Sequence, residues 1–554
     1  MDWLNRQIAR VAPGIALKRE VAARRLERLE QLAPRERTNG ERSFEAVSGN
    51  RLYHDFLAPR SSADSALSGA ESLRHHVRQL EYNNGHVAGP VRRIVNNVVG
   101  RGIRFQSRVT ADDPENRFTP FPRIDEMRAE RWNYEMERLF RSWAQVADVR
   151  RLLSWWRIQR IVTGALVRDG EVLVIGRESR RKDRRIPYCL EILEIDRLQT
   201  PMSEISNPRI RNGIRYDDEG APEAYFVLKR HPGENLRLAM RADDFEEIPA
   251  FYPSGAKRVL HLFDPMRPEQ SRGFSEFAAG LKAMMNLDRY QEAEIYAALE
   301  DACLTGFVYT EDPSGFQGEY TTGNLDGEDS AGKEPRIHEF APNKWHYLNP
   351  NEKVKIHAPS RPNSAFGELS AQLLRDPANA LDVPPEVLSQ DWKGMNYSNA
   401  RTVLLQFQLS CRVRQAYLAD DLCCPVHENV ARFGVAGGEI YGAGFDRRPE
   451  DFLAHAWIPP GWHWVDPEKE ANAADTGLGN NTETLTDLCA SRGEDVDEHL
   501  ETRARELKRM QDLEEKYGVE FPRGSNSQDG GAGNSSGEDD EEKDDPRPQL
   551  SVAK

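Results

Sequence analysis

The chain has 554 residues, room for about three or four domain-sized units. Hydrophobic residues make up 38% and charged residues 30%, against about 45–50% and about 25% in ordinary globular domains, so thin layers of core are expected rather than one large globule. Asp and Glu total 90 against 75 Lys and Arg, a net charge of -15, which argues against a simple nucleic-acid clamp. No apolar run reaches the roughly 18 residues of a membrane span, and Met1-Asp2-Trp3-Leu4-Asn5-Arg6 leads into charge, so neither a membrane helix nor a secretory leader is expected. Cys189, Cys303, Cys411, Cys423, Cys424 and Cys489 contain no Cys-x-x-Cys pair, which predicts buried thiols in a reducing compartment.

Residues 1–70 combine an Arg-rich helical stretch over 18–32 with a Ser/Ala/Gly segment over 61–68, the composition of a mobile arm. A helix is predicted from Glu71, broken near Gly85 and resuming at Pro90, with Gly100 and Gly102 ending it and a strand starting at Ile103. Met127, Trp132, Met136, Leu139, Phe140 and Trp143 recur at helical spacing, and a second helix from Val149 includes Leu152, Trp155, Trp156, Ile158, Ile161 and Val162. These aromatic stripes read as core packing rather than a ligand box. The period then changes. Strands are expected at 171–175, 190–195, 210–216, 224–229 and 259–263, with a turn at Asp217-Asp218-Glu219-Gly220.

A helix over 275–304, with Ser275 as its N-cap, is longer than one small core needs and suggests packing against neighbouring subunits. Residues 306–358 read as strands around a polar insertion at 311–335. A helix is predicted over 364–380, a loop over 389–397, a helix over 398–433, irregular chain over 434–470 and helix again over 482–517. From about Pro522 the Gly/Ser/Asn and acidic composition cannot bury enough apolar surface to fold.

No enzyme signature stands out. Gly327, Gly332 and Lys333 have P-loop spacing, but Glu334 replaces the Ser or Thr that holds magnesium, and Glu328 and Asp329 would repel phosphate. Gly100-Arg101-Gly102 lacks the third glycine of a dinucleotide fingerprint, and Gly273-Phe274-Ser275-Glu276-Phe277 lacks the last glycine of a nucleophile elbow. His75 and His76 are adjacent on a helix and point apart, so they read as solvated. No catalytic residue, metal ligand or cofactor site is predicted.

Six segments in fixed order carry a signal together: Arg93-Ile94-Val95-Asn96-Asn97-Val98; Asp196-Arg197-Leu198-Gln199-Thr200-Pro201; His261-Leu262-Phe263-Asp264-Pro265-Met266 leading to Gln270-Ser271-Arg272-Gly273; His357-Ala358-Pro359-Ser360-Arg361-Pro362; Val383-Pro384-Pro385-Glu386 leading to Asn396-Tyr397-Ser398-Asn399-Ala400-Arg401; and Trp457-Ile458-Pro459-Pro460-Gly461-Trp462. Over roughly residues 70–515 they resemble the lambda-type portal proteins of tailed bacteriophages.

That resemblance implies a non-enzymatic α+β subunit that assembles into a ring, typically of twelve, at one capsid vertex of the virion. Double-stranded DNA passes through its channel without sequence reading during packaging and ejection. Its implied partners are further copies of itself, terminase large subunit, head-completion or connector protein, and major capsid and scaffold proteins, with assembly in the host cytoplasm. The family layout gives a mobile arm (1–70), a wing (71–270), a stem helix (271–305), a clip (306–358), a second stem helix (359–388), a tunnel loop (389–397), a wing return (398–480), a crown (481–520) and an acidic tail (521–554). The candidate channel residues are Asp391, Trp392, Lys393 and Asn396 in the loop, with Lys282 and Arg289 on the long helix. The alternative for Trp392 is packing under the wing, and for each cation it is a solvated surface charge. Two other classes stay open: a non-portal virion or scaffold protein, and a hydrolase with dispersed carboxylates.

Overall fold

The computed structural model describes residues 62–113, 122–234, 241–302, 306–310, 352–356, 366–462, 467–518 and 521. Most of the N-terminal arm, the 311–335 insertion and the acidic tail lie outside these residues.

Helices α1 (Ala70–Asn83) and α2 (Gly85–Val98) meet at Asn84, whose side-chain oxygen accepts from the His86 amide at 2.8 Å. The break near Gly85 is therefore real, but the second helix restarts at Gly85 and carries Pro90 inside it, not at its first turn. Strand β1 (Arg104–Ser107) follows. Asp125 caps α3 (Glu126–Gln145), and α4 (Trp155–Asp169) begins after Ser154, six residues later than the expected Val149, because 149–153 form a turn. The aromatic stripe is core as read: Trp132, Met136, Leu139, Phe140, Trp143 and Trp155 are buried, whereas Met127, Leu152 and Ile161 face solvent.

Next come β2 (Glu171–Glu178), β3 (Tyr188–Leu193), β4 (Ile210–Arg211), β5 (Ile214–Tyr216), β6 (Pro222–Leu228), β7 (Phe245–Pro249) and β8 (Val259–Phe263). They form a three-stranded sheet in the order β3-β2-β8 and a four-stranded meander β4-β5-β6-β7, all antiparallel. The expected single strand over 210–216 is a hairpin, turned at Asn212 and Gly213, both with positive φ.

Strand β2 reads as an unbroken apolar run because both its faces are buried. Val172 and Val174 face the main core with α3 and α4, while Leu173 and Ile175 face a second core with Leu198, Ile214, Tyr225, Val227 and Ile248. The three-stranded sheet is thus the partition between two thin cores.

The long helix, α5 (Leu281–Ala302), starts later than expected. Ser275 does not cap it. Its hydroxyl accepts from the Phe277 amide at 3.2 Å, and residues 276–280 form turns in which Phe277 and Gly280 are buried while Ala278 and Ala279 are exposed. Strands β9 (Gly306–Thr310) and β10 (Glu352–Ile356) pair antiparallel. Helix α6 (Phe366–Ala380) lies beside α5, with the rings of Tyr290 and Phe366 stacked at 5.5 Å.

Short α7 (Pro385–Ser389) leads to α8 (Tyr397–Leu418). The helix expected over 398–433 is interrupted by a π-turn, Ala419–Cys423, before α9 (Cys424–Ala436). The irregular segment contains α10 (Pro449–Phe452) and β11 (His455–Ile458), which pairs antiparallel with β1. Helices α11 (Pro467–Gly479), α12 (Leu485–Ser491) and α13 (Val496–Tyr517) complete the described chain. The fold is mixed helix and sheet. No described helix is long and apolar enough to cross a membrane. The five described cysteines are all free.

Candidate functional site

The loop between α7 and α8 is short and internally hydrogen-bonded. Gln390 ends α7 in a left-handed conformation (φ 60°), and its side-chain amide donates to the Val387 carbonyl at 2.9 Å. The Asp391 carboxylate accepts from the Lys393 amide at 3.2 Å, an Asx-type turn, and Gly394 supplies a further positive φ of 75°. The Asn396 side-chain oxygen accepts from the Asn399 amide at 2.9 Å and so caps α8.

Exposure sorts the candidates. Asp391, Lys393 and Asn396 are exposed, whereas Trp392 is half-buried and packs against the main core. Lys393 is the loop's outward cation, and Trp392 anchors the turn that presents it. From the other side, the Arg93 guanidinium donates to the Leu388 carbonyl at 3.1 Å and fixes the end of α7 to α2.

On α5, Lys282 and Arg289 are both exposed. Seven residues separate them, so they share a face and sit about 10 Å apart along the axis. The opposite face buries Leu281, Met284 and Leu287, and Asp288 accepts from the Asn84 side chain at 2.8 Å. The two helix cations therefore form one group, and Lys393 belongs to a separate element.

Sequence reading missed the joint from which α5 emerges. Glu171 is buried at the start of β2 and accepts from Arg74 at 2.8 Å, Arg272 at 2.8 Å and the Gly273 amide at 3.0 Å, with His261 at 2.9 Å. Burial alone would raise its carboxyl, but Arg272 and the hydrogen-bonded His261 hold it well below the usual carboxylate range. Burial lowers the His261 imidazole, against the pull of Glu171. Beside it, Arg78 bridges Asp169 and Asp196, each at 2.7 Å. Two backbones cross here. A Cβ on Gly170 (φ 83°) would lie 1.9 Å from the Phe274 carbonyl carbon, and one on Gly273 would lie 2.2 Å from the Gly170 oxygen. The one signal in the sequence was a carboxylate heading an apolar strand.

Among the described residues, Glu194, Asp196 and His231 bring three potential ligand atoms together. Arg78 already occupies one Asp196 oxygen at 2.7 Å and Arg74 lies 3.9 Å from the other, so the carboxylate faces the protein's own cations. Burial raises the Asp196 carboxyl, but Arg78 and Arg74 more than offset this and lower it. The group is an ion-pair network rather than a metal centre. A cleft of about 2140 Å³ between α3, β1 and α13 is lined by both signs of charge, with Arg104 bound to Glu498 at 2.6 Å across it. In it the Ser107 hydroxyl donates to the Asn133 side-chain oxygen at 2.7 Å, and Glu137 accepts from the Ser107 backbone amide at 3.0 Å.

The family described as phage portal protein, lambda family, matches residues 49–415. The chain belongs to that family. A portal protein is a structural part of the virion, not an enzyme. This portal chain is 27% identical over 482 residues to the probable portal protein of Halomonas phage phiHAP-1, covering 85% of this chain and 87% of the relative. It is 23% identical over 472 residues to portal protein B of Escherichia phage lambda, covering 81% and 86%. Among solved structures, the neck of an empty GTA particle is similar at TM-score 0.39 and 16% identity, covering 66% of this chain and 83% of that one. The neck of a native GTA particle computed with twelvefold symmetry is similar at TM-score 0.37 and 14% identity, covering 64% and 82%. These two likenesses are distant and carry no residue-level correspondence.

Proposed function

We propose that the chain closes head-to-tail into a ring of about twelve copies at one vertex of a phage capsid, and that double-stranded DNA is packaged and ejected through its channel. Family membership is the observation that carries this reading. In that ring, 71–270 with 398–480 form the wing, 271–305 and 359–388 the stem helices, 306–358 the clip, 389–397 the tunnel loop and 481–520 the crown. Terminase docks during packaging, and head-completion proteins dock afterwards. Capsid and scaffold proteins surround the ring.

The electrostatics support a loose channel. At -15 per subunit, about twelve subunits carry about -180 in all, a field that keeps DNA off the walls. Each phosphate neutralised by Lys or Arg adds salt-dependent affinity, so a densely basic lining would stall movement. A few exposed cations, Lys393 at the loop with Lys282 and Arg289 on α5, centre the duplex through its phosphates without reading bases. Electron microscopy of the purified protein tests this: axial rings are expected, and compact monomers across concentration and salt would refute it.

A further inference from the structure

In a chain of net charge -15, one surface runs the other way. The β2–β3 connection reads Arg180-Arg181-Lys182-Asp183-Arg184-Arg185. Its shape is fixed from inside. Arg184 is buried and donates to the carbonyls of Val146 and of Asp148, the latter at 2.6 Å, which ties the loop to the end of α3. Arg151 binds Asp183 at 2.9 Å, and Arg185 binds Glu439 at 2.9 Å. Arg180, Arg181 and Lys182 are exposed, and among the described residues none of the three has an ion-pair partner. Arg150 is exposed beside them, 3.9 Å from Glu191, a carboxylate that Arg177 already holds at 2.9 Å. Glu178, two residues before Arg180, is exposed and offsets one of the three surplus charges.

Adjacent cations that no carboxylate answers attract a run of negative charge. The chain holds a run of matching length and opposite sign. Glu538-Asp539-Asp540-Glu541-Glu542-Lys543-Asp544-Asp545 sets seven acids around one Lys, outside the described residues. The sixteen residues 522–537 separate it from the last described residue, Phe521, and extend to at most roughly 55 Å. Helix α13 starts where β1 meets α3: Gln106 donates to Asp497 at 3.3 Å, and Glu137 accepts from the Ser107 amide at 3.0 Å. From Glu137 the loop's anchor at Val146 is about 14 Å further along α3, and α13 is about 33 Å long. The acidic run is therefore within reach of the basic loop.

We infer that residues 538–545 of the chain's own tail seat on Arg180, Arg181 and Lys182. A DNA duplex offers the same sign of charge, but it must approach an acidic chain from solution. The tethered run is present at about millimolar effective concentration. Each phosphate that Lys or Arg neutralises adds salt-dependent affinity, so a bare loop of three free cations would hold nucleic acid wherever it met it. The tail acts as an internal competitor that keeps this surface from gripping phosphate. The inference does not depend on the portal reading, because a chain that forms no ring still carries both blocks.

Carbodiimide coupling of the full chain tests it, since the reagent joins an amine only to a carboxylate in direct contact. At low salt it should link Lys182 to an acid within 538–545, read by mass spectrometry, and the yield should fall at least ten-fold in about 0.5 M sodium chloride. Arg180→Glu with Arg181→Glu should lower the low-salt yield as much. Both residues are exposed, so thermal unfolding should be unchanged; Arg180→Gln with Arg181→Gln serves if it is not. A second full-length variant, with the seven acids of 538–545 changed to Asn or Gln, should bind a fluorescent DNA duplex at least ten-fold more tightly than the unmodified chain. Adding Arg180→Gln with Arg181→Gln should remove that gain. The absence of any link from Lys182 to the tail at low salt, a link that survives reversal of the loop charge, or duplex binding that the neutralised tail leaves unchanged would overturn the inference. A duplex already held on this loop by the unmodified chain would make nucleic acid the occupant and overturn it too.

Discussion

Strand β2 and helix α8 are both rich in apolar residues, and they dispose of them differently. In β2, Val172 through Ile175 are all within 3% of complete burial, because sheets and helices of the same subunit cover both faces. In α8, one side is covered and Leu409 on another is 62% exposed. The body around β2 covers its own apolar residues, while the rods α5 and α8 leave part of theirs exposed within the subunit. A low hydrophobic fraction thus does not mean evenly thin cores; it conceals one saturated region and one that leaves apolar side chains exposed.

The sharpest way to break this contrast is to damage the saturated region. Glu171→Gln strips the charge that partners Arg74 and Arg272 and should cost about 3–5 kcal/mol in urea unfolding, the usual loss when one member of a buried pair is removed. Because the folded Glu171 carboxyl is depressed, its stabilisation is fully present above the ordinary value of 4.5 and drains away as pH falls below it. His261, whose folded value is lowered, adds a loss that begins as pH falls below 6.5. Melting temperatures measured against pH should therefore drop on the acid side, and Glu171→Gln should flatten the lower part of that limb.

A matched pair on one helix sharpens the comparison next. Leu281→Asp buries an unpaired charge beside Met284 and should cost roughly 3 kcal/mol of folding stability, whereas Ile295→Asp, on an exposed position, should stay within about 0.5 kcal/mol. Equal destabilisation of both would erase the distinction between the two halves of α5. Gly170→Ala comes next, at about 2 kcal/mol or more, since the added carbon meets the Phe274 backbone and the φ of 83° disfavours any side chain. The smallest effects belong to the loop. Asn396→Ala should remove about 1 kcal/mol of helix capping, and Lys393→Glu should leave unfolding unchanged while impairing DNA packaging or retention in a packaging assay.

Apolar periodicity made much of the body legible. Val259–Phe263 matches its expected strand end to end, because alternation and turn residues bound it cleanly. Strand β7 escaped notice because Glu246 and Glu247 sit in its middle, where Glu246 binds Arg177 and Glu247 binds Arg215. Strand β11 is only four residues long and draws its identity from pairing with β1, some 350 positions earlier. The π-turn inside the long α8–α9 run did carry a signal that the helical periodicity overrode, since Asp420 and Asp421 are weak helix formers and Pro425, in the first turn of α9, has no amide to continue a helix. Of the loop, exposure of Lys393 was readable from its neighbours, but the capping duty of Asn396 and the packing of Trp392 depend on backbone direction. The Glu171 network was beyond reach, as its partners lie 97 and 101 positions away.

The crossed glycines at the root of α5 have a mechanical consequence. A rod of 22 residues is about 33 Å long, so each degree of slack at its base displaces its tip by about 0.6 Å. Subunits that close on one another sum such errors around the circle, and a tip that wanders by a few ångströms leaves a gap at the last seat. Two touching backbones and a carboxylate held by two guanidiniums make the base stiff where leverage is greatest. Angular precision, rather than stability alone, is what that buried charge delivers to the far end of the helix.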